Sequence, residues 1–243
     1  GKIRASYAEV GNDMDPYQLY NLYSTSPDSH GGITASSSNT LYNKNVKNEL
    51  IKSYEVGVEL KFLNNRLGLD FAWYKSNATN QLMNLPVNSL SGYNYKKINA
   101  GDIQNTGVEL MAYATPIRTK DFEWTINYNI SHNNNTIKDL YDGVDRYQLG
   151  GYDNIRIYAI KGGEIWGTKF LRVEDGQYKG QLLLTSDGLP QATSEMEKIG
   201  DQQATCNMGL TNSFSYKGWN LSFQIDARIG GEIFSGTNAM MQR

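Results

Sequence analysis

Hydrophobic and polar residues alternate along several long stretches of this chain. In "SYEVGVELKFLNNRLGLDFAWYKS" (Ser53 to Ser76), Tyr54, Val56, Val58, Leu60 and Phe62 fall on one side of an extended backbone. Leu67, Leu69, Phe71 and Trp73 do the same beyond a short polar turn at Asn64-Asn65. Successive strand side chains point to opposite faces, so the pattern predicts a hairpin with one apolar and one polar face. Two further hairpins share the layout. One runs through "NTGVELMAYATPI" (Asn105 to Ile117), turns in "RTKD" (Arg118 to Asp121) and returns as "FEWTINYNISH" (Phe122 to His132). The other joins "TCNMGLTNSFSY" (Thr205 to Tyr216) to "WNLSFQIDARIGG" (Trp219 to Gly231) through Lys217-Gly218. Two stretches fit less well. Met111 and Tyr113 lie opposite Val108 and Leu110, and in "KIRASYAEV" (Lys2 to Val10) Glu9 falls on the otherwise apolar face.

The other connections are long and polar: Gly11 to Lys52, Asn77 to Gln104, and Asn133 to Ala204. Within the last, "IWGTKFLRVEDGQYKGQLLL" predicts a further hairpin around Asp175-Gly176. Short turns thus alternate with long loops. A β-sandwich has no general reason for that asymmetry, whereas transmembrane barrels place short periplasmic turns at one end and long extracellular loops at the other. Ser53 to Leu63, Phe122 to His132 and Asn220 to Gly230 reach the roughly 9–11 residues of a tilted membrane strand, longer than the usual 5–6 of a globular one. Aromatics cluster near strand ends: Tyr54, Phe62, Trp73, Tyr74, Phe122, Trp124, Tyr216 and Trp219. Such side chains favour the boundary of hydrocarbon and water, although they also pack ordinary cores. Glu55, Glu59, Asp70, Asn127, Asn129, Gln224, Asp226 and Arg228 would then line a lumen.

Composition narrows this picture without overturning it. Mean hydropathy is negative, but barrel strands dilute their apolar signal by alternating. No run approaches a transmembrane helix, and Gly1 to Asn12 reads directly as a strand. A net charge of −2 with no basic arm argues against a nucleic-acid partner. Cys206, the only cysteine, has no internal partner and reads as a structural thiol in a strand.

With the long loops outside, the predicted membrane strands are Lys2–Val10, Ser53–Leu63, Leu67–Asn77, Asn105–Thr115, Phe122–His132, Thr205–Tyr216 and Asn220–Gly230. These seven require the 133–204 hairpin to stay outside the membrane. An odd antiparallel set cannot close without a parallel pair, and an open edge is not tolerated in lipid. The expectation is an all-β, antiparallel fragment of a large transmembrane β-barrel, with strands missing at both ends.

Particular words also resemble a family. "RASYAEVGNDMDPYQLY" (Arg4 to Tyr20), the Ser53–Ser76 hairpin and above all "NAGDIQNTGVEL" (Asn99 to Leu110) resemble SusC/RagA-type TonB-dependent outer-membrane transporters. "ATPIRTKDFEWTINYNISHNNN" (Ala114 to Asn135), "IGD" (Ile199 to Asp201) and "YKGWNLSFQIDARIGG" (Tyr216 to Gly231) follow in order, so the resemblance runs from about Lys2 to Asn238. It implies a 22-stranded barrel that imports large glycan or peptide nutrients, powered through a TonB complex and lidded by a SusD-like surface lipoprotein. Residues 1–243 then form a partial TonB-dependent receptor β-barrel domain, with 133–204 as a long extracellular loop. No plug, TonB-contacting segment or terminal aromatic strand is found, so this piece alone would transport nothing.

Candidate chemistry is sparse. Tyr141, Tyr147, Tyr152, Tyr158 and Trp166 lie in the longest loop, where they would stack on sugar rings or meet the lid; equally, each would pack the loop's own small core. "DGVDRY" (Asp142 to Tyr147) and "VEDGQ" (Val173 to Gln177) hint at calcium but lack EF-hand spacing, and ordinary turns fit them better. His30 and His132 are far apart, which gives no support to a zinc site or a His-based triad. No GxSxG, phosphate loop or dinucleotide fingerprint occurs. Gly162-Gly163 and Gly230-Gly231 read as bends. No catalysis and no cofactor are expected. The alternatives are a soluble or surface-attached carbohydrate-binding β-sandwich, or an outer-membrane hydrolase with a convergent acid/base set that the sequence does not display.

Overall fold

Alternation of apolar and polar side chains shapes the molecule directly. In the computed structural model, which describes residues 1–141, 144, 146–152, 154–160 and 164–241, it yields one long two-faced sheet with smaller sheets in its loops. In chain order the first strands are β1 (Lys2–Asn12), β2 (Tyr23–Pro27), β3 (Ile33–Ser37), β4 (Thr40–Leu41), β5 (Glu49–Phe62), β6 (Leu67–Thr79), β7 (Leu82–Pro86) and β8 (Tyr95–Asn99). There follow β9 (Asp102–Arg118), β10 (Phe122–Asp139), β11 (Tyr147–Tyr152), β12 (Ile155–Ala159), β13 (Glu164–Gly167), β14 (Glu197–Asp201), β15 (Ala204–Tyr216), β16 (Trp219–Gly230) and a short helix α1 (Gly236–Met241). Seven of them form one sheet in the order β1-β5-β6-β9-β10-β15-β16, every pair antiparallel. These are the seven strands expected from the alternation, each longer than expected, from one residue in β15 and β16 to seven in β10.

Register sorts the faces. Ile3, Val58, Phe71, Leu110, Ile130, Met208 and Ala227 form one cross-strand row, and Val56, Trp73 and Val108 continue the apolar side. The blurred strand is therefore clear: Val108, Leu110 and Ala112 stand on the apolar face, while Met111 pairs with Asp70 on the polar one. Glu9 does sit on the apolar side, but at its loop-proximal limit. There it meets Lys52 at 3.9 Å and accepts a 2.8 Å hydrogen bond from Tyr7, whose ring packs on Tyr54. At the opposite end Trp124 stacks on Phe214 at 5.7 Å and Phe214 on Phe223 at 6.2 Å. The indole Nε1 of Trp124 donates to Asn212 Oδ1, so this amide on the apolar face has a partner.

No described part of the protein covers the apolar face. Val56 is 50% exposed, Phe71 42% and Phe223 46%. Buried apolar side chains lie elsewhere: Val46, Ile98, Ala100, Ala159 and Ile165 in the loops, and Ala72 on the polar face of the sheet. A sandwich would bury this face against a second sheet. Here nothing in the described chain does so, which removes the physical basis of the sandwich alternative.

The polar face is lined differently. Arg4 reaches across β5 to bind Asp70 through two bonds of 3.0 and 2.7 Å, with Glu55 Oε1 at 3.4 Å from its Nε. It lies over Gly57, where a Cβ would come within 2.6 Å of the guanidinium carbon. Gly68 similarly makes room for the ring of Tyr113. Long polar side chains thus lie flat along this face, across positions that carry no side chain.

The turns follow their residues. Lys217 and Gly218 both have positive φ, the requirement of a two-residue type I′ hairpin. Between β9 and β10 the register shifts beside Thr115-Pro116, where a bulge accommodates a proline that cannot donate to the ladder. The long loops hold more order than the sequence suggested. β2 pairs with β3, β4 and β7 flank β8, and β11, β12, β13 and β14 form a four-stranded sheet. The expected hairpin around Asp175-Gly176 is present in short form: Leu171 and Val173 pair with Leu183, Gln181 and Gly180 through backbone hydrogen bonds on either side of the isolated Arg172–Leu182 bridge. Ile165 to Gly167, assigned to that hairpin, pair instead with β12 and β14. The bend at Gly162-Gly163, and Asp142, Gly143 and Asp145 of the calcium-like segment, lie outside the described residues.

Charging the two faces of β16 separates their surroundings. Ile225→Arg is expected to lower the folding free energy of the full-length protein in bilayers by about 2–4 kcal/mol, and Gln224→Arg to change it little. Denaturant titration of the reconstituted protein measures both, and equal effects would reject a hydrocarbon-facing apolar side.

Candidate functional site

β9 and β10, at 17 and 18 residues, are the longest strands and overshoot the length needed to cross a bilayer. Their overhang is rich in amides. Asn133 and Asn135 both donate to Asn105 Oδ1, at 3.1 and 2.8 Å, and Tyr74 donates to Asn133. This polar stalk carries the loop sheets, and the candidate site lies among them.

The four-stranded loop sheet holds a charged aromatic cluster. Trp166 on β13 and Tyr158 on β12 meet edge-on at 6.1 Å. The guanidinium of Arg146 lies over both rings, 4.8 Å from the Tyr158 centroid and 5.5 Å from that of Trp166. Such contacts hold a cation flat against aromatic surface. Beneath them, Glu164 is almost fully buried, accepting from Trp166 Nε1 at 3.0 Å and from Lys198 Nζ at 2.8 Å. Lys198 also reaches Asp201 at 3.3 Å. The hydrogen bond to Glu164 raises the Lys198 pKa above its ordinary value, against the opposing cost of partial desolvation.

Two clefts flank β8. The first, of ≈590 Å³, is lined by Pro86, Tyr95, Arg146, Tyr147, Gln148 and Tyr158 among others. Tyr147 spans it, its hydroxyl 3.4 Å from the carbonyl of Asn84 on β7. The second, of ≈650 Å³, is lined by Tyr20, Asn21, Tyr42, Lys44, Asn45 and Lys96 with adjoining residues. On the polar face of the large sheet, Glu59, Lys61, Asp70, Met111, Tyr113 and Asn127 border a smaller hollow of ≈290 Å³.

Of the five rings singled out from sequence, Tyr147 and Tyr158 share the first cleft, with Trp166 behind Tyr158. Tyr152 packs instead on Phe234 at 6.0 Å, and Tyr141 borders a separate polar hollow with Asn80, Asn99 and Asp139. Tyr158 and Trp166 already share the Arg146 cation, and Trp166 also donates to the Glu164 carboxylate, so both help to hold the loop sheet together. Sequence reasoning missed Arg146, Tyr95 and the whole second cleft. One signal was available: from Phe71 to Gly101 the chain contains no Asp or Glu, although Lys75, Lys96 and Lys97 lie there. Among the described residues no group of three or more His, Cys, Asp or Glu is arranged to hold a metal ion.

The Glu164–Lys198 pair makes the loop sheet testable. Lys198→Met leaves the buried carboxylate with Trp166 alone, and should reduce amide protection of Ile165 by about 1 kcal/mol, a modest figure because the lysine is 44% exposed. Hydrogen exchange reads the effect, and Glu164→Gln together with Lys198→Met should recover much of it. Because the lysine pKa is raised on folding, its contribution is present throughout neutral pH and is lost only as pH climbs through the raised value.

Known proteins share both the sequence and the fold. The family described as TonB dependent receptor-like, beta-barrel matches residues 2–227. TonB-dependent receptor P3 of Formosa agariphila is 26% identical over 264 residues, covering 97% of this chain and 26% of that protein. TonB-dependent receptor SusC of Bacteroides thetaiotaomicron is 28% identical over 208 residues, covering 79% of this chain and 20% of its own length. The RagAB peptide transporter structure superposes with a TM-score of 0.76 at 21% identity, over 94% of this chain and 26% of that one. The chain thus spans about a quarter of the length of such relatives, as an odd-stranded, open-edged section of a barrel would. With one face apolar and uncovered, and the family matched over nearly its whole length, this chain belongs to the TonB dependent receptor-like β-barrel family of the outer membrane.

Proposed function

We infer that the chain is a section of barrel wall, with its outer loops, from a TonB-dependent importer of a large nutrient such as an oligosaccharide or peptide. One observation carries this reading: the polar face of the seven-stranded sheet, bordered by Arg4, Asp70, Glu59 and Asn127, leads past an amide-rich overhang to clefts among the loops. A wide polar bore under a recognition surface is the arrangement required for passage of a large solute. The open edges at β1 and β16 call for further strands on both sides, since lipid does not tolerate an unpaired edge.

In this reading residues 1–243 are part of a barrel domain, and residues 133–204 are an extracellular loop. A SusD-like surface lipoprotein would cover the loops, and the TonB complex would act through a part of the protein that this chain does not include. Tyr141, Tyr147 and Tyr152 keep a role at the substrate or the lid, with Tyr158 and Trp166 shaping the loop behind them. Catalysis has no part in the proposal, as transport needs binding and a path, and the full-length relatives bear receptor names.

Orientation and import are tested separately. In a Cys206→Ala background of the full-length protein, Ser186→Cys is expected to react with an impermeant maleimide on intact cells, and Lys120→Cys in the turn between β9 and β10 only after the outer membrane is permeabilised. Labelling of both on intact cells would reject the orientation. Uptake of fluorescent oligosaccharides and peptides should require both the protein and a functional TonB complex. Uptake unaffected by loss of either would reject import.

A further inference from the structure

The second cleft is built from cations that no carboxylate answers. Lys44 and Lys96 line it, and neither forms a salt bridge with any described residue; the same holds for Lys47 and Lys97 beside it. The sequence explains the imbalance. From Pro16 to Asn48 the only carboxylate is Asp28, which is committed to its own turn through the amides of His30 and Gly32. From Phe71 to Gly101 there is none at all. Glu49, at the margin, is held by Asn12 and the amide of Leu82. The rest of the chain is acidic, with 18 Lys and Arg against 24 Asp and Glu, and the chain as a whole carries −2. Positive charge is therefore concentrated on the loops around β8, where a concave wall strengthens the field felt by an approaching anion.

An exposed ring stands beside these cations: Tyr20, which lines the same cleft, is 61% exposed. The cleft on the other side of β8 is a separate surface, since Tyr95 and Lys96 are consecutive strand residues and point to opposite faces. Within the second cleft, ring and cations together match a ligand made of flat-faced units that carry negative groups.

An extended acidic peptide is the competing ligand, and the geometry disfavours it. A peptide strand would join the sheet at the free edge of β4, through the backbone at Tyr42. Both backbone groups of Tyr42 are already taken: its amide donates to Asn21 Oδ1 at 2.8 Å, and its carbonyl accepts from Asn21 Nδ2 at 3.2 Å. At this edge, beside the second cleft, reading of the ligand falls mainly to side chains. We propose that the second cleft, beside β4 and β8, binds an anionic oligosaccharide, one bearing carboxylate or sulfate groups, with Lys44 and Lys96 meeting the anions and Tyr20 a sugar face. This deepens the import reading and rests on it for the claim that the ligand is cargo; binding itself does not.

The test uses the full-length protein in detergent with three probes of equal length: an oligogalacturonate, a neutral malto-oligosaccharide and a polyglutamate peptide. Calorimetry should show the oligogalacturonate binding most tightly, with affinity falling as salt rises. Lys44→Gln with Lys96→Gln should weaken it about tenfold at low salt and flatten the salt dependence. Lys44→Arg with Lys96→Arg should retain it, separating loss of charge from loss of folding. Equal or tighter binding of the neutral sugar, tighter binding of the peptide, or an unchanged double glutamine variant would each overturn the proposal. Energised uptake of a neutral oligosaccharide or a peptide would leave import standing and remove this inference. Uptake of no probe, with the binding contrast intact, would remove import and leave the anion site.

Discussion

In hydrocarbon a backbone amide or carbonyl has no water to fall back on, and each one left open costs several kcal/mol. The seven long strands answer that constraint by pairing along nearly their whole length, from Lys2 opposite Glu59 to Tyr216 opposite Trp219. Once pairing is obligatory, the period of two becomes obligatory as well. A slip of one residue would turn Val56, Phe71 and Ile126 toward the polar side and present Glu59, Asp70 and Asn127 to lipid. The apolar face, uncovered by any described residue, is stable in the bilayer for the same reason that it would be a liability in water. The odd strand count belongs to the same constraint: β1 and β16 each keep one open edge, which the remainder of a larger barrel must close.

The polar face solves a different problem. It must carry charge without closing the bore. Arg4, laid flat over Gly57 and tied to Asp70 and Glu55 on two other strands, offsets part of their negative charge while staying close to the wall. Tyr113 over Gly68 follows the same plan. A glycine in mid-strand weakens the local sheet, and here that loss is offset by the room it gives a neighbouring strand's side chain. Individually such exposed ion pairs contribute little to stability. Their effect is on shape, since an arginine standing away from the wall would project into the bore.

How much of this was legible in the sequence depended on periodicity. The seven strands and their short turns could be read because lipid on one side and water on the other impose strict alternation over ten residues or more. Met111 and Tyr113 obscured one strand because the polar face of a wide bore accepts large apolar side chains such as a methionine, so apolar character there does not indicate a face. The loop sheets left no such trace. β12 is apolar at alternate positions for only three residues, and β4 is two residues long. Ile165 to Gly167 sit next in sequence to the Asp175-Gly176 turn, yet pair with segments from both sides of it, a non-local choice that no local pattern encodes. The candidate rings could be named but not judged. That Arg146 occupies Tyr158 and Trp166, whereas Tyr95 remains open, is a fact of tertiary packing. The charge imbalance, by contrast, was written in the chain, as a stretch from Phe71 to Gly101 without an acidic residue.

The wall and the loops therefore obey separate rules, and the separation has consequences for change. Strand side chains answer to the bilayer and to the bore, so few substitutions there leave both satisfied. The loops rest on small independent cores, Val46, Ile98 and Ala100 around β8, and Ala159, Ile165 and the Glu164–Lys198 pair in the four-stranded sheet. They form sheets of their own beside the amide-rich ends of β9 and β10, so their surfaces can be rewritten without disturbing a single strand pairing in the wall. A family built in this way can keep its barrel and alter its loops, because a wall held by strand pairing does not depend on which charges the loops present.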